Sequence, residues 1–326
     1  MSKSLSPRLR LRNILHKPAV NLDFVLPGLL AGTVGQIYAA GGTGKSIYAL
    51  EAAIAVAGGP DLLCLHPAQT GPVLFIAAED PLPVLEARIQ ALQHLISEAE
   101  TEKLEQFLDI TPALASGMDL FSKEDAGVWE ATLAKRAENC RLIIIDTLSR
   151  VQSGNENARE DAAIVMRRLE RIAASTGAAI IVLHHVGKSS VMNGNADLQQ
   201  ASRGASVWID ESRWAAFLRV MDEKEAATMS VDIADRREYV RFGVSKANYS
   251  PPFADVWLHR QENGVLLPAE MSAETGKTHS KPTYRGKNHI ARSKKQPKGK
   301  PLLDPPSLGL VFDLIKNGGG VHGTNW

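Results

Sequence analysis

One stretch, Ala39-Ala40-Gly41-Gly42-Thr43-Gly44-Lys45-Ser46, constrains this chain more than any other. It follows the apolar run Val34–Ala39 and precedes an alanine-rich helical pattern, Ser46–Ala57. In a strand, glycine loop and helix arranged this way, the backbone turns so that its N–H groups converge on an anion. Ala occupies the first glycine position of the pattern. Lys45 supplies a point charge for the β and γ phosphates of a nucleotide, and the Ser46 hydroxyl is a ligand for Mg²⁺. The helix that starts there adds its positive end. The candidate ATP site is therefore Ala40, Gly41, Gly42, Thr43, Gly44, Lys45 and Ser46, with ATP and Mg²⁺ as the expected ligands.

The rest of the pattern agrees with that nucleus. From Val34 to about Leu267, short apolar runs alternate with helical periodicity, which predicts an α/β fold with a twisted, mainly parallel sheet flanked by helices. Strands are expected at Val34–Ala39, Val73–Ala78, Leu142–Ile145 and Ala178–Leu183, with Tyr239–Lys246 and Val256–His259 closing the sheet. Helices are expected at Ser46–Ala57, Pro83–Leu95, Ala126–Ala137 and Ala158–Ser175. In the last of these Ile164, Val165, Leu169 and Ile172 make one buried stripe. This reading divides the chain into an N-terminal arm (1–22), a motor domain (23–270), a basic linker (271–300) and a C-terminal segment (301–326). The linker is rich in Lys, Arg, Pro, Gly and Ser, and the last segment contains a candidate docking helix at Leu308–Ile315.

Charge is divided unevenly. The chain has 37 Lys and Arg against 36 Asp and Glu, but residues 271–326 hold 10 of the former and 3 of the latter. The first 270 residues therefore carry 27 against 33, and a general basic footprint for nucleic acid is missing from the main domain. The tail's cations are open to two readings, a DNA contact or a solvated tether. No apolar stretch approaches the ~20 residues of a membrane helix, and the basic start, Met1 to Arg12, lacks the apolar core of a signal peptide. Two distant cysteines, Cys64 and Cys140, argue against a disulfide framework or a cysteine metal site. A cytoplasmic location with no membrane partner is the expectation.

Three strand ends carry further chemistry. Leu142-Ile143-Ile144-Ile145-Asp146 brings an acid to the carboxyl edge of a parallel sheet, where Asp146 either holds Mg²⁺ or caps the next element. Val73 to Asp80 repeats the pattern, and Glu79 is the candidate base that orients the attacking water, with a structural acid as the other reading. Ile180 to His185 ends in two histidines whose side chains point to opposite faces, so they cannot share one metal. His185 is the preferred γ-phosphate sensor, with His184 the alternative.

These pieces, in this order, resemble the RecA-like ATPases. More closely, the chain resembles the RepA-type hexameric helicases of broad-host-range plasmids, over roughly residues 13–268. The matching strings are Ala31-Gly32-Thr33-Val34-Gly35, Gly58-Gly59-Pro60-Asp61-Leu62-Leu63 and Ala78-Glu79-Asp80-Pro81. Gln199-Gln200-Ala201-Ser202-Arg203-Gly204 and Arg241-Phe242-Gly243-Val244-Ser245-Lys246-Ala247-Asn248-Tyr249 extend the likeness. The resemblance implies a homo-hexameric ring with ATP between subunits, single-stranded DNA through the centre, and primase or initiation proteins as partners. It places the trans-acting finger at Arg213, with an intrachain ion pair to Asp210 or Glu211 as the competing reading. In the related DnaB-type helicases the finger lies where this chain has Lys246 and Asn248, which makes Lys246 a second trans cation candidate. The loop after the sensor strand offers Lys188, Ser189, Ser190 and Asn193 to DNA, or is a plain surface loop. The expected function is an ATP-dependent replicative DNA helicase serving a plasmid. The alternatives are a recombination or repair ATPase that does not unwind, and a nucleotide-dependent regulatory ATPase.

Overall fold

The computed structural model describes residues 8–155, 158–186 and 205–271. The elements are α1 (Leu11–Leu15), β1 (Phe24–Leu26), β2 (Leu29–Leu30), β3 (Val34–Ala39), α2 (Lys45–Ala57), β4 (Val73–Ala77) and α3 (Leu82–Gln90). Next come α4 (Glu98–Phe107), β5 (Leu108–Pro112), α5 (Ala126–Arg136), β6 (Leu142–Asp146), α6 (Arg159–Thr176) and β7 (Ala179–His185). The described chain closes with α7 (Ala205–Glu211), β8 (Trp214–Val220), α8 (Glu223–Thr228), β9 (Tyr239–Ala247), β10 (Val256–Arg260) and β11 (Leu266–Pro268). Leu308–Ile315, the basic linker and the DNA-loop candidates Lys188, Ser189, Ser190 and Asn193 lie outside the described residues.

Among the described residues, nine strands form one sheet in the order β11-β10-β9-β8-β3-β7-β6-β4-β5. The six strands from β8 to β5 are parallel, while β9, β10 and β11 are joined by antiparallel pairing. This is the mainly parallel α/β sheet expected from the alternation of apolar runs. Strands β3, β4 and β6 are buried along their whole length because helices cover both faces, so they read as continuous apolar runs rather than alternating ones. One face packs against Ile47, Leu50 and Ile54 of α2 and Leu85 of α3. The other packs against Leu133 of α5, Val165, Leu169 and Ile172 of α6, and Trp208 of α7.

Two contacts tie the chain's beginning to this sheet. Asp23 forms a paired-oxygen ion pair with Arg141, at 2.5 and 2.8 Å, just before β6. Trp214 Nε1 donates to the Pro27 carbonyl at 3.0 Å, fixing the β1–β2 hairpin against β8. By contrast, α1 buries none of its residues, and Leu9, Leu11, Leu15 and Val20 are exposed. No described helix is long and apolar enough to cross a membrane.

Strand direction sorts side chains to two edges. β3, β4, β6 and β7 all end at one edge. β10, two antiparallel steps from β8, runs the same way and brings Arg260 to that edge too. Residues that precede β8 or end β9 lie at the opposite edge.

Glu51 shows how far the fold will go to hold the turn between β10 and β11 in place. It is fully buried in α2, and its Oε1 accepts the Leu266 backbone N–H at 2.9 Å. Burial pushes its carboxyl up to about 8, partly opposed by that hydrogen bond. An acid whose pKa rises on folding binds its proton more tightly in the folded state, so stability falls as pH climbs from about 4.5 to about 8. Glu51→Gln keeps the acceptor and removes the charge. It is expected to raise the thermal midpoint at pH 8 by about 5 °C or more, a gain on the order of a few kcal/mol, and to change it little at pH 5. A midpoint difference that does not vary with pH would rule out the buried-charge account.

Candidate nucleotide site

The phosphate loop owes its shape to two glycines. Gly42 and Gly44 have φ of +77° and +104°, a left-handed backbone that strains any side chain. Thr43, buried between them, turns its Oγ1 back to the Ala40 carbonyl at 2.8 Å. An added Cβ at Gly41 or Gly42 would meet nothing within 4 Å, so the loop encloses open space. α2 begins with no side-chain cap, which leaves its first N–H groups available to an anion.

Lys45 is buried beneath the loop. Its Nζ donates to the Ala39 carbonyl at 3.4 Å and to His185 Nδ1 at 3.1 Å. Burial lowers its pKa, and the carboxylates of Asp146 and Glu79 oppose that shift. Because Lys45 is the donor at Nδ1, the other ring nitrogen of His185 carries the hydrogen. It faces both oxygens of Glu79 at 3.1 Å. Lys45, His185 and Glu79 thus form one continuous chain across the pocket.

Asp146, the last residue of β6, is buried and hydrogen-bonded to Ser46. Burial pushes its carboxyl up to about 6; the Ser46 bond works against this, and Glu79 and Asp80 reinforce it. Its Oδ1 has no hydrogen-bond partner. Its carbonyl accepts from Ala78 N–H at 2.6 Å and Glu79 N–H at 3.1 Å, which aligns Glu79 with the loop. A buried carboxylate oxygen left unpaired beside a hydroxyl suits a hard cation that takes oxygen ligands. Ser46 and Asp146 therefore fit Mg²⁺. Among the described residues no cluster of three or more acidic, His or Cys side chains could hold a metal.

The two histidines separate as strand alternation requires. His185 lines the pocket, whereas His184 is buried against Trp208, its pKa pushed down to about 4, first by burial and then by its neighbours His185 and Lys45. Asp80 is held by Arg88 of α3 at 2.9 Å.

Sequence reading missed two cations here. Arg88 and Arg260 line the same cavity of about 270 Å³ as Gly42, Lys45, Ser46 and Glu79. Arg260 Nη2 donates to the carbonyls of Thr43, at 2.7 Å, and Gly42, at 3.4 Å. Arg88 follows Glu79 by nine residues on an amphipathic helix, a signal that was available. Arg260 is more than 200 residues from the loop, and nothing local marks it.

Arg213 and Lys246 lie elsewhere. Arg213 N–H donates to the Val34 carbonyl at the start of β3, five residues before the loop and so roughly 17 Å from it along the strand. The Arg213 side chain is exposed and has no ion-pair partner among the described residues, because Glu211 pairs with Arg159 instead. Lys246 Nζ donates to the carbonyls of Ile209 and Asp210 at 2.9 Å, which satisfies the carboxyl end of α7. Neither cation can serve its own chain's loop.

A family model described as AAA domain matches residues 6–191, more than half of the chain. Among solved structures, a crystal structure of the RadB recombinase is similar over 72% of this chain and 90% of that one, at 14% identity and a TM-score of 0.45.

Asp146→Asn tests the metal assignment. Calorimetry of ATP with Mg²⁺ and with a chelator is expected to show about a tenfold or greater loss of the metal's contribution in the variant. An undiminished Mg²⁺ effect would remove Asp146 from the metal site.

Proposed function

This chain belongs to the AAA domain family, and on that premise we propose that it is an ATP-dependent replicative DNA helicase. In this reading the chain works as a homo-hexameric ring on single-stranded DNA, in plasmid replication, with primase or initiation proteins as partners. The observation that carries the reading is the division of the charged groups between two edges of the sheet. Lys45, Ser46, Glu79, Asp146 and His185 gather at one edge, while Arg213 stands exposed at the other with no ion-pair partner among the described residues. Hydrolysis needs cationic stabilisation where negative charge develops. A second copy that turns its Arg213 edge toward the pocket supplies that charge, which favours an assembly over a monomer, with the ring as the form proposed here. The exposed arm around α1 is a ready contact for the neighbour.

The chemistry follows from the hydrogen-bond chain. With ATP present, Lys45 exchanges His185 Nδ1 for phosphate oxygens. His185 is then released to contact the γ-phosphate and Glu79 to orient the attacking water. Ser46 and Asp146 would hold Mg²⁺, which would supply neutralisation of phosphate charge. His185 passes the occupancy of the site to the segment beginning at Val186, where Lys188, Ser189, Ser190 and Asn193 are the proposed DNA contacts. Differential contact between the two states is what allows a ligand to shift the loop.

The test compares ATP hydrolysis, with and without single-stranded DNA, and separation of a forked duplex. Wild type is expected to show stimulated hydrolysis and unwinding, both lost in Lys45→Ala. Arg213→Ala is expected to retain ATP binding and lose turnover by about a thousandfold. An equimolar mixture of the two variants should regain part of the activity, because mixed interfaces pair an intact Lys45 with an intact Arg213. Normal turnover in Arg213→Ala would overturn the shared site. Stimulation without strand separation would mark a recombination or repair ATPase, and hydrolysis indifferent to DNA a regulatory one.

A further inference from the structure

Away from the nucleotide site, a small apolar pocket opens on the α2 face of the sheet. Its lining includes Tyr48 of α2, Leu63 and Leu65, Phe242 of β9, and Ala254 and Val256 where β10 starts. At about 20 Å³ it admits the tip of one side chain and is far too small for a free ligand of ordinary size. Water suits it poorly, since a buried water takes about two to four polar partners and Tyr48 is the one polar side chain in the lining. The Tyr48 ring is held by stacking on Phe242 at 4.7 Å. Its hydroxyl is buried and has no hydrogen-bond partner, a costly state. The loop between α2 and β4 is shaped to build this pocket. Cys64 and His66 have φ of +54° and +48°, which strains any residue with a side chain. The Asp61 carboxylate holds that backbone by accepting from the Leu65 and His66 N–H groups at 2.8 and 2.7 Å. Leu63 and Leu65 are buried as a result, and Cys64 between them is exposed at the rim.

We propose that this pocket receives the apolar segment Leu308–Ile315 of the same chain. The segment lies outside the described residues, and its chemistry is read from the sequence, where Leu308, Leu310, Val311, Phe312, Leu314 and Ile315 form the densest apolar stretch after Met271. The described chain leaves the sheet at the pocket's rim. Ala269 N–H donates to the Trp257 carbonyl at 2.8 Å, and the antiparallel register brings the next residue opposite Val256. Residues 272–307, 36 in number, supply up to ~120 Å of chain, ample for a return to the pocket. A tethered segment needs little affinity of its own, because the tether sets its local concentration. Charge acts in the same direction. The first 270 residues carry 27 Lys and Arg against 33 acids, and residues 271–326 carry 10 against 3, so the tail is drawn to the body. A peptide brings both things the pocket lacks, an apolar side chain for the cavity and a carbonyl to accept from Tyr48. The chain's own arm does not cover the pocket, since α1 buries none of its residues.

The experiment uses the full chain with Cys140→Ser, which leaves Cys64 at the rim as the one native thiol, and adds Gly309→Cys within the segment. With oxidised glutathione present, a docked segment is expected to give an intrachain disulfide between Cys64 and the introduced thiol. The rate should not depend on protein concentration. Leu310→Ser combined with Phe312→Ser is expected to slow it at least tenfold. So is Ala254→Gln, which narrows the mouth of the pocket at an exposed position and leaves the core alone. Equal rates with and without the two tail substitutions would overturn the proposal, because a free tail meets Cys64 whatever its apolar content. Slowing by the tail substitutions without slowing by Ala254→Gln would place the segment elsewhere on the surface and overturn it too. A disulfide between two chains, faster at higher concentration, would overturn it in favour of docking between copies. Absence of the disulfide would also overturn it, and its recovery on adding Leu11→Ser with Leu15→Ser would name a second copy's arm as the occupant.

Discussion

In a parallel sheet every strand delivers its last residue to the same edge, and the functional site depends on that constraint. Asp146, His185, Glu79 and the phosphate loop come from four strands that are scattered through the sequence. They meet because β3, β4, β6 and β7 point one way and their helical crossovers return the chain to the far edge. The meeting is rigid. Each of these strands is buried between helices, so a shift of one end requires repacking of the core behind it.

Electrostatics then sets the cost of the arrangement. Lys45 and Asp146 are both nearly excluded from water, and each loses hydration that the other only partly restores. Asp146 is the less satisfied of the two, with one oxygen unpaired and its carboxyl pushed up to about 6. An unpaired buried acceptor costs about 1–3 kcal/mol. On the proposed reading, a cation and a nucleotide would recover that energy, and the cost at the site would become part of the affinity for them. His185 keeps the unliganded site in order by bridging Lys45 to Glu79, and it does so with bonds that phosphate can displace.

Legibility in the sequence followed the range of the physics. The loop, β3 and α2 were plain because their signals are local, and β3 spans the expected Val34–Ala39. The separation of His184 from His185 followed from strand alternation alone. α4 and β5 were not anticipated. α4 buries none of its residues and so shows no apolar stripe, although the capping box from Ser97 to Glu100 was there to be read. β8 was missed because Trp214–Val220 is a nearly unbroken apolar run beside a helix, a pattern that periodicity alone cannot assign. The helix expected at Pro83–Leu95 spans Leu82–Gln90 and ends five residues short of the expected end. Arg260 was beyond reach for a different reason. Its place at the loop follows from two antiparallel steps past β8, a property of the whole sheet that no spacing encodes.

That same two-edge geometry restricts how copies can associate on the proposed reading. The receiving pocket lies at the carboxyl edge of the central strands, and the exposed Arg213 at their amino edge. Lys246 is committed to the end of α7, which leaves Arg213, of these two candidates, as the cation on offer. A two-fold contact joins a surface to itself. It completes a site only where pocket and Arg213 share one contacting face, so that each copy's Arg213 meets the other's pocket. A head-to-tail contact also places unlike edges together, and when repeated it closes into a ring where the rotation allows and otherwise runs on as an open filament. Because the pocket and Arg213 lie at opposite edges of one sheet, the proposed reading favours the head-to-tail class.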